Sequence, residues 1–343
     1  MIERDPVSKR TTVAVDAMGG DSAPSVVLEG VAAACVDDPD LEVLLVGEPT
    51  LVEDFAKTHE RVTAVPATEV ISMGEHPANA VRKKKDSSIV VGCQAVRAGN
   101  AQGFFSAGST GACLAAAIMI MGRIKGVKRP GLGVVIPAYE RPCMLMDVGA
   151  NADCRPEYLV QFAHMAAIYM ERMLGVQMPK VGLLNIGEEK TKGSTMAQEA
   201  YCLLERDIPG FAGNCEGGPL AQGAFDVVVT DGFTGNVCLK TIEGTSKLLF
   251  KYVKDAMTST MLSKVGAALV RSQLMQLKEK ISPDAYGGTP LLGVRGTCII
   301  GHGSSNAAAI KNGILAACRE IRGNICAEIE QQMKAMPKDG EES

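Results

Sequence analysis

The stretch 227-VVVTDGFTGNVCLKTIEG-244 carries the fold in miniature. Its near-continuous valine run suits a strand buried on both faces, the pattern of a parallel sheet covered by helices. Small polar residues follow, Thr230-Asp231-Gly232-Phe233-Thr234-Gly235-Asn236, and then a helical pattern that carries Lys240 one turn on. Strand, tight turn, helix is the repeating unit of an α/β protein.

Working outward, the same punctuation recurs. Apolar runs that end in Gly, Ser, Asp or Asn occur at 12-TVAVDAMGGD-21, 43-VLLVGE-48, 103-GFFSAGSTGA-112, 132-LGVVIP-137, 144-MLMDVGAN-151, 181-VGLLNIGEE-189, 226-DVVVTDGFTGN-236 and 297-TCIIGHGSSN-306. Helical patterns lie between them, among them 157–174 and 307–333. The alternation predicts a mostly parallel sheet in a three-layer α/β/α sandwich, as one domain over 12–335 with flexible ends at 1–11 and 337–343. Between 132-LGVVIP-137 and 144-MLMDVGA-150 there is no room for a helix, so a hairpin around Tyr139-Glu140-Arg141-Pro142 is expected, as an antiparallel edge of the sheet.

The chain has 343 residues, 46% of them hydrophobic but only 4% aromatic, with no Trp, so aliphatic side chains and Met must fill the core. A formal charge of −4 argues against a general nucleic-acid binder. The eleven cysteines are scattered singly through apolar segments and read as reduced core residues. The four histidines lack metal-ligand spacing, so neither a metal nor another cofactor is expected. The start MIERDPVSKR lacks the apolar core of a signal peptide, and 112-ACLAAAIMIM-121 suits a buried helix rather than a membrane span. A soluble, cytoplasmic protein is expected.

Chemistry is expected at the strand-to-helix turns, where ligands of open α/β sheets bind and helix N-termini offer N–H groups to anions. The candidates are Asp16, Gly19 and Gly20 with Asp21; Ser109, Thr110 and Gly111; Asn151 after Gly149; Asp231, Gly232, Thr234, Gly235 and Asn236; and His302, Ser304 and Asn306. One such turn is explained by a helix cap. Five in one chain, several with paired glycines, exceed what capping requires. Neither the dinucleotide fingerprint nor the P-loop pattern occurs, so an oxyanion or acyl-phosphate site fits better. The loop 187-GEEKTKGS-194 adds charge at the same sheet edge; Lys192, beside Gly193, is better placed than Lys190 to turn inward as a point charge for phosphate. Asp16, Asp21, Asp147 and Asp231 sit near strand ends, where each could cap a helix, but several carboxylates beside an anion must orient donors or accept protons. His302 is a candidate donor or proton source. Cys113 and Cys238 follow two of the turns, but no activating base is evident.

V-D-A-M-G-G-D (15–21), S-A-G-S-T-G-A (106–112), L-N-I-G-E-E-x-x-K-G (184–193), D-G-F-T-G-N-V-x-L-K-T-x-E-G (231–244) and Y-G-G-x-x-L-L-G-x-x-G (286–296) together resemble the phosphate acyltransferase family, in order from about residue 12 to about 330. Ser109 stands where that family usually has Asn, and 73-MGEHP-77 is altered. The resemblance implies transfer of an acyl group from acyl-carrier-protein thioester to orthophosphate in bacterial phospholipid synthesis. It further implies a fold related to phosphotransacetylases and isocitrate-type dehydrogenases, a homodimer, and catalytic importance for Lys192 and Asn236. Two alternatives stay open: a phosphotransacetylase-like enzyme on a small acyl-CoA, and a non-catalytic acyl-lipid binding protein. The segment 245–281 is expected to be a helical excursion for dimerisation or partner docking. Its seven Lys/Arg against Asp255 and Glu279 give a net charge of +5, suited to acidic carrier protein and to peripheral binding at an anionic membrane.

Overall fold

The computed structural model describes residues 10–281 and 287–336. The strands are β1 (Thr11–Asp16), β2 (Leu41–Gly47), β3 (Val62–Pro66), β4 (Gly103–Ser106), β5 (Gly131–Ile136), β6 (Cys143–Met146), β7 (Val181–Leu184), β8 (Phe211–Cys215), β9 (Val227–Val229), β10 (Thr289–Leu292) and β11 (Thr297–Ile300). They form one eleven-stranded sheet in the order β3-β2-β1-β4-β11-β10-β5-β6-β9-β7-β8.

Seven of the ten pairings are parallel. The antiparallel ones are β11–β10, β10–β5 and β5–β6, all in the middle. The hairpin around 139–142 therefore forms, but it is not an edge: β5 and β6 are interior strands, and β3 and β8 are the edges. The consequence for the site is large. Three successive reversals turn β3, β2, β1, β4 and β11 one way and β6, β9, β7 and β8 the other. Carboxyl ends of the two sets lie on opposite edges of the sheet.

Alternate residues of each strand feed opposite cores, as strand geometry requires. Ala14, Phe104, Val134, Leu145 and Val228 join one apolar cluster that spans both halves. On the other face, Val13 and Val15 pack with Val31, Ile310 and Ile314 in a second cluster. Met144, Met146 and Val229 pack with Phe162 and Met165 in a third. Helices thus cover both faces, giving the α/β/α layers.

The pattern at 307–333 splits into helices Ala307–Arg322 and Ile325–Ala335, because Asn324 is left-handed (φ 56°). The run 112–121 is helical, its last turn wound as a π-helix over Ala117–Met121; half of it is buried, and Met119 is exposed. The expected flexible ends lie outside the described residues except for Arg10 and Thr11; Arg10 pairs with Glu42 at 2.7 Å, and Thr11 is buried at the start of β1. The excursion forms helices Gly232–Thr258, Met261–Leu269 and Arg271–Ile281.

One charged residue is placed against the rule that buried charges are paired. Glu320 is 1% exposed, on the sheet-facing side of helix Ala307–Arg322, and its Oε2 has no partner. Burial raises its carboxyl from 4.5 to about 8, against a hydrogen bond with Thr297. Folding therefore takes up a proton between pH 4.5 and about 8, and stability falls as pH rises through that window. Glu320→Gln should flatten the fall of melting temperature from pH 5 to pH 8. It should leave the protein on the order of 2–4 kcal/mol more stable than wild type at pH 8. Equal slopes for the two proteins in thermal melts would mean that Glu320 is charged in the fold.

Candidate active site

At the edge where β1, β4 and β11 end, the organising group is Asp16. It is 1% exposed, accepts from Ser106 Oγ at 2.7 Å and from Met18 N at 3.0 Å, and Gly108 N donates to the same Ser106 hydroxyl at 3.0 Å. Burial raises the Asp16 carboxyl above its ordinary value; hydrogen bonds from Ser88, Ser106, Met18 and Gly19 oppose the rise without cancelling it. A side chain at Gly19 would stand 2.6 Å from Asp16 Oδ2 and 2.7 Å from Gly108 N, so only glycine fits there. A cavity of about 190 Å³ opens here, lined by Asp16, Gly19, Gly20, Asp21, Ser72, Ser88 and Ser109 among others. Asp21 N donates to Gly303 O at 2.7 Å, which ties in the turn carrying His302 and Ser304. Ser304 N donates to His302 Nδ1 at 3.2 Å, and its hydroxyl lies 2.8 Å from the same nitrogen. Ser109 and Asn306 cap the following helices through Ala112 N and Ala309 N. Thr110 is exposed in the first helical turn, and Gly111 faces Pro77.

At the opposite edge the organiser is Asp147, fully buried after β6. It accepts from the N–H groups of Leu132, Gly149, Ala150 and Asn151 and from Asn151 Nδ2, at 2.7–3.2 Å. The N–H groups of 149–151 are thus consumed by a carboxylate of the chain. Asn151, whose Nδ2 also reaches Pro130 O at 2.8 Å, positions the turn rather than offering its amide to a ligand. Asn151 O in turn accepts from Gly232 N at 2.7 Å, locking the 149–151 turn onto the helix start. Asp231 caps that helix, taking Thr234 N at 2.8 Å and the Thr234 hydroxyl at 2.7 Å. A Cβ on Gly235 would lie 1.9 Å from Asp147 O, so the two segments touch backbone to backbone. What this scaffold presents outward is Asn236, exposed and next to Gly149, whose φ is +133°.

Lys192 sits at the carboxyl end of the neighbouring strand, since β7 and β9 pair in parallel with Leu183 opposite Val229. Its loop is held by Asn185, whose Nδ2 donates to Lys192 O at 3.2 Å and Asn214 Oδ1 at 3.0 Å. Gly193 takes φ +92°, and a Cβ there would stand 2.4 Å from Asn185. Lys190 is tied away, to Glu205 at 2.5 Å; among the described residues no ion pair engages Lys192. Lys240 pairs with Glu243 at 2.8 Å along its own helix, a structural role.

The candidate residues therefore form two groups rather than one. Asn151, Asp231, Gly232, Thr234, Gly235, Asn236 and Lys192 share one edge. Asp16, Gly19, Gly20, Ser109, Thr110, Gly111, His302, Ser304 and Asn306 share the other, so within one chain His302 is not beside Lys192 and Asn236. The sequence marks Asp147 only as one of four carboxylates near strand ends, with Asp16, Asp21 and Asp231, and it does not mark Ser106 or Asn185; the signal for these two was a lone Ser or Asn ending an apolar run. Thiol chemistry is disfavoured at both candidate cysteines. Burial pushes the Cys113 thiol up to about 12 and raises that of Cys238.

This architecture is shared, as a fold, with solved structures of α/β enzymes. It is similar to a phosphotransacetylase from Streptococcus pyogenes, with TM-score 0.59 and 15% identity over 92% of this chain and 95% of that one. It is also similar to a 4-hydroxythreonine-4-phosphate dehydrogenase from Klebsiella pneumoniae, with TM-score 0.51 and 12% identity over 92% and 98%. At such identities the likeness is one of fold. Sequence goes further: residues 11–328 match the fatty acid synthesis protein family, and the chain belongs to it. Phosphate acyltransferases from Desulfitobacterium hafniense (strain Y51) and Halothermothrix orenii are 48% and 42% identical to it. The matches cover 94% and 96% of this chain and 97% and 99% of theirs. It is an acyltransferase of the phosphate acyltransferase family.

Backbone contact at Gly235 gives a direct test of the Asp147 scaffold. Gly235→Ala should destabilise the protein by about 1–3 kcal/mol, as overpacking does, and lower turnover by displacing Asn236. Urea melts and acyltransfer assays on the purified variant would detect both. A variant with wild-type values in each would show that the helix start can shift freely away from Asp147.

Proposed function

We propose that this acyltransferase moves a long-chain acyl group from acyl-carrier-protein thioester to orthophosphate, giving acyl-phosphate for phospholipid synthesis in the cytoplasm. The observation that carries the reading is Asn236, held at a helix start by the Asp147 scaffold, at the strand end adjoining the loop of Lys192.

The reaction asks for little covalent help. Phosphate near neutral pH is substantially a dianion, and the leaving thiolate, with a pKa of roughly 8.5, departs with little protonation. A phosphate oxygen attacks the thioester carbonyl, and the tetrahedral oxyanion collapses with cleavage of the C–S bond. Holding the two reactants in line is worth roughly 7–11 kcal/mol. Removing one oxyanion donor typically costs about 3 kcal/mol. Lys192 would balance the phosphate charge, and the Asn236 amide would donate to the oxyanion. Direct displacement is favoured over an acyl-enzyme because burial keeps the Cys113 and Cys238 thiols protonated.

Incubating hexadecanoyl-carrier protein, phosphate and the enzyme should release free thiol and acyl-phosphate. Lys192→Ala and Asn236→Ala should each lower turnover about 100-fold, the loss of one transition-state donor, with little change in melting. Lys190→Ala, whose cation serves Glu205, should be mild. Near-normal kcat in either of the first two variants would remove that residue from the mechanism. The second reading, a small acyl-CoA substrate, is favoured by the fold shared with phosphotransacetylases; higher turnover on acetyl-CoA than on hexadecanoyl-carrier protein would select it.

The excursion supports a peripheral role at anionic surfaces and a homodimer. Met261, Leu262 and Leu269 are about four-fifths exposed, and Leu249 and Tyr252 are exposed beside Lys247, Lys251 and Lys254. Among the described residues no helix is long and apolar enough to cross a membrane. An amphipathic face with a basic rim binds an interface reversibly, each cation near an anionic surface adding about 1 kcal/mol. Sedimentation with phosphatidylglycerol liposomes at low salt should be weakened by Lys264→Glu with Arg271→Glu, while the dimer survives. Absence of wild-type binding at low salt would leave the segment to protein contacts alone.

A further inference from the structure

A groove of about 990 Å³ runs between β5 and the three excursion helices and ends at the turn of His302, Ser304 and Ser305. We propose that it holds the acyl tail of the substrate, extended along helix Gly232–Thr258 with its carbonyl end toward Asn236. This rests on the transfer reading above and adds where the chain lies and what measures its length.

The helix itself supplies the direction. Asn236, Leu239, Glu243, Ser246, Phe250, Val253 and Met257 follow one another at steps of three and four, which places them on one stripe. Every one after Asn236 lines the groove. At 1.5 Å per residue the stripe runs ~15 Å from Asn236 to Ser246 and ~21 Å to Phe250. A two-carbon acyl group stays at the head of such a path, and a long chain follows it. Opposite the stripe stand Val134 and Ile136 of β5, with Ala267 and Leu274 closing the outer side. These apolar side chains offer a flexible hydrocarbon dispersion contacts, and of the two polar members of the stripe after Asn236, Ser246 is small and Glu243 is held by Lys240 at 2.8 Å. Exposed cations, Lys247, Lys254, Lys264 and Arg271, flank the groove, where they favour an anionic donor such as an acidic carrier protein. This polar margin around an apolar trench distinguishes an acyl path from a plain core defect.

Each methylene buried in such a groove is worth about fourfold in affinity, so blocking it part-way must discriminate by chain length. The test compares kcat/KM for hexadecanoyl- and butanoyl-carrier protein, and hexadecanoate binding to the resting protein, in wild type, Ser246→Phe and Ala268→Phe. Ser246→Ala is the control for the serine itself. Both Phe variants should lower the hexadecanoyl-to-butanoyl ratio at least tenfold and weaken hexadecanoate binding in parallel, and Ser246→Ala should hold the ratio within twofold. A ratio unmoved in both Phe variants overturns the proposal. So does a shift from dimer to monomer in sedimentation velocity with the ratio unmoved, which would assign the groove to contact between copies. If wild type transfers no acyl group to phosphate, the transfer reading fails, and hexadecanoate binding alone then decides the groove: its presence in wild type and loss in the Phe variants upholds it, its absence in wild type ends it.

Discussion

Backbone hydrogen bonding in the middle of the sheet is the constraint on which everything else depends. Every interior strand must pair on both sides, and β10, between β11 and β5, pairs antiparallel to both. With the β5–β6 hairpin this reverses the sheet's polarity between its two halves. Strand-to-helix turns that look equivalent in sequence are thereby sent to two edges. The Asp16 turns and the Asp147 turns are separate constructions, each with its own buried carboxylate.

Those carboxylates explain how loops so rich in glycine keep one shape. Burial raises the proton affinity of Asp147, and the five N–H donors it collects from two segments oppose that rise without cancelling it. The donors offset the desolvation only while all of them point inward, so the carboxylate and the turn specify each other. A phosphate is not needed to organise these amides, because a side chain already does so. In the proposed reaction this leaves the substrate to groups with no such duty, Asn236 and Lys192, and the surrounding glycines serve close backbone approach.

The sequence carries the layers and most strands plainly, since a valine run with a polar turn after it can hardly be anything else. It carries the short strands poorly. β3 and β8 lie at the edges and are only partly buried, and β10 contains Pro290, so none makes a continuous apolar run. Each becomes a strand because a neighbour offers it a ladder, which is a tertiary fact. The central place of the β5–β6 hairpin is invisible for the same reason: a hairpin motif reveals local pairing, while its place in the sheet is fixed by β10, some 150 residues later. At the site, Lys192 and Asn236 stand out through resemblance and residue type. Asp147 shows only as one of several carboxylates near strand ends, because an aspartate closing an apolar run has the same local appearance whether it caps a helix or anchors two loops.

Division between two edges also clarifies the long helix Gly232–Thr258. A turn at one edge and an apolar, basic excursion at the other would be unrelated features on a fold whose helices simply covered the sheet. Here a single 27-residue helix joins them. Its first turn is clamped by Asp147 and Asp231, its next two turns bury Leu239 and half-bury Ile242 against the sheet, and beyond Ser246 it leaves the core with Leu248, Leu249 and Tyr252 exposed. A helix fixed so firmly at its start transmits orientation along its length, so its apolar, basic end is held in register with the end that bears Asn236. For a substrate whose reactive carbonyl is polar and whose tail is insoluble in water, that register is the useful property. On the proposed reading, the reacting end and the greasy end would be served by different parts of one rigid element, and neither would have to be rebuilt to suit the other.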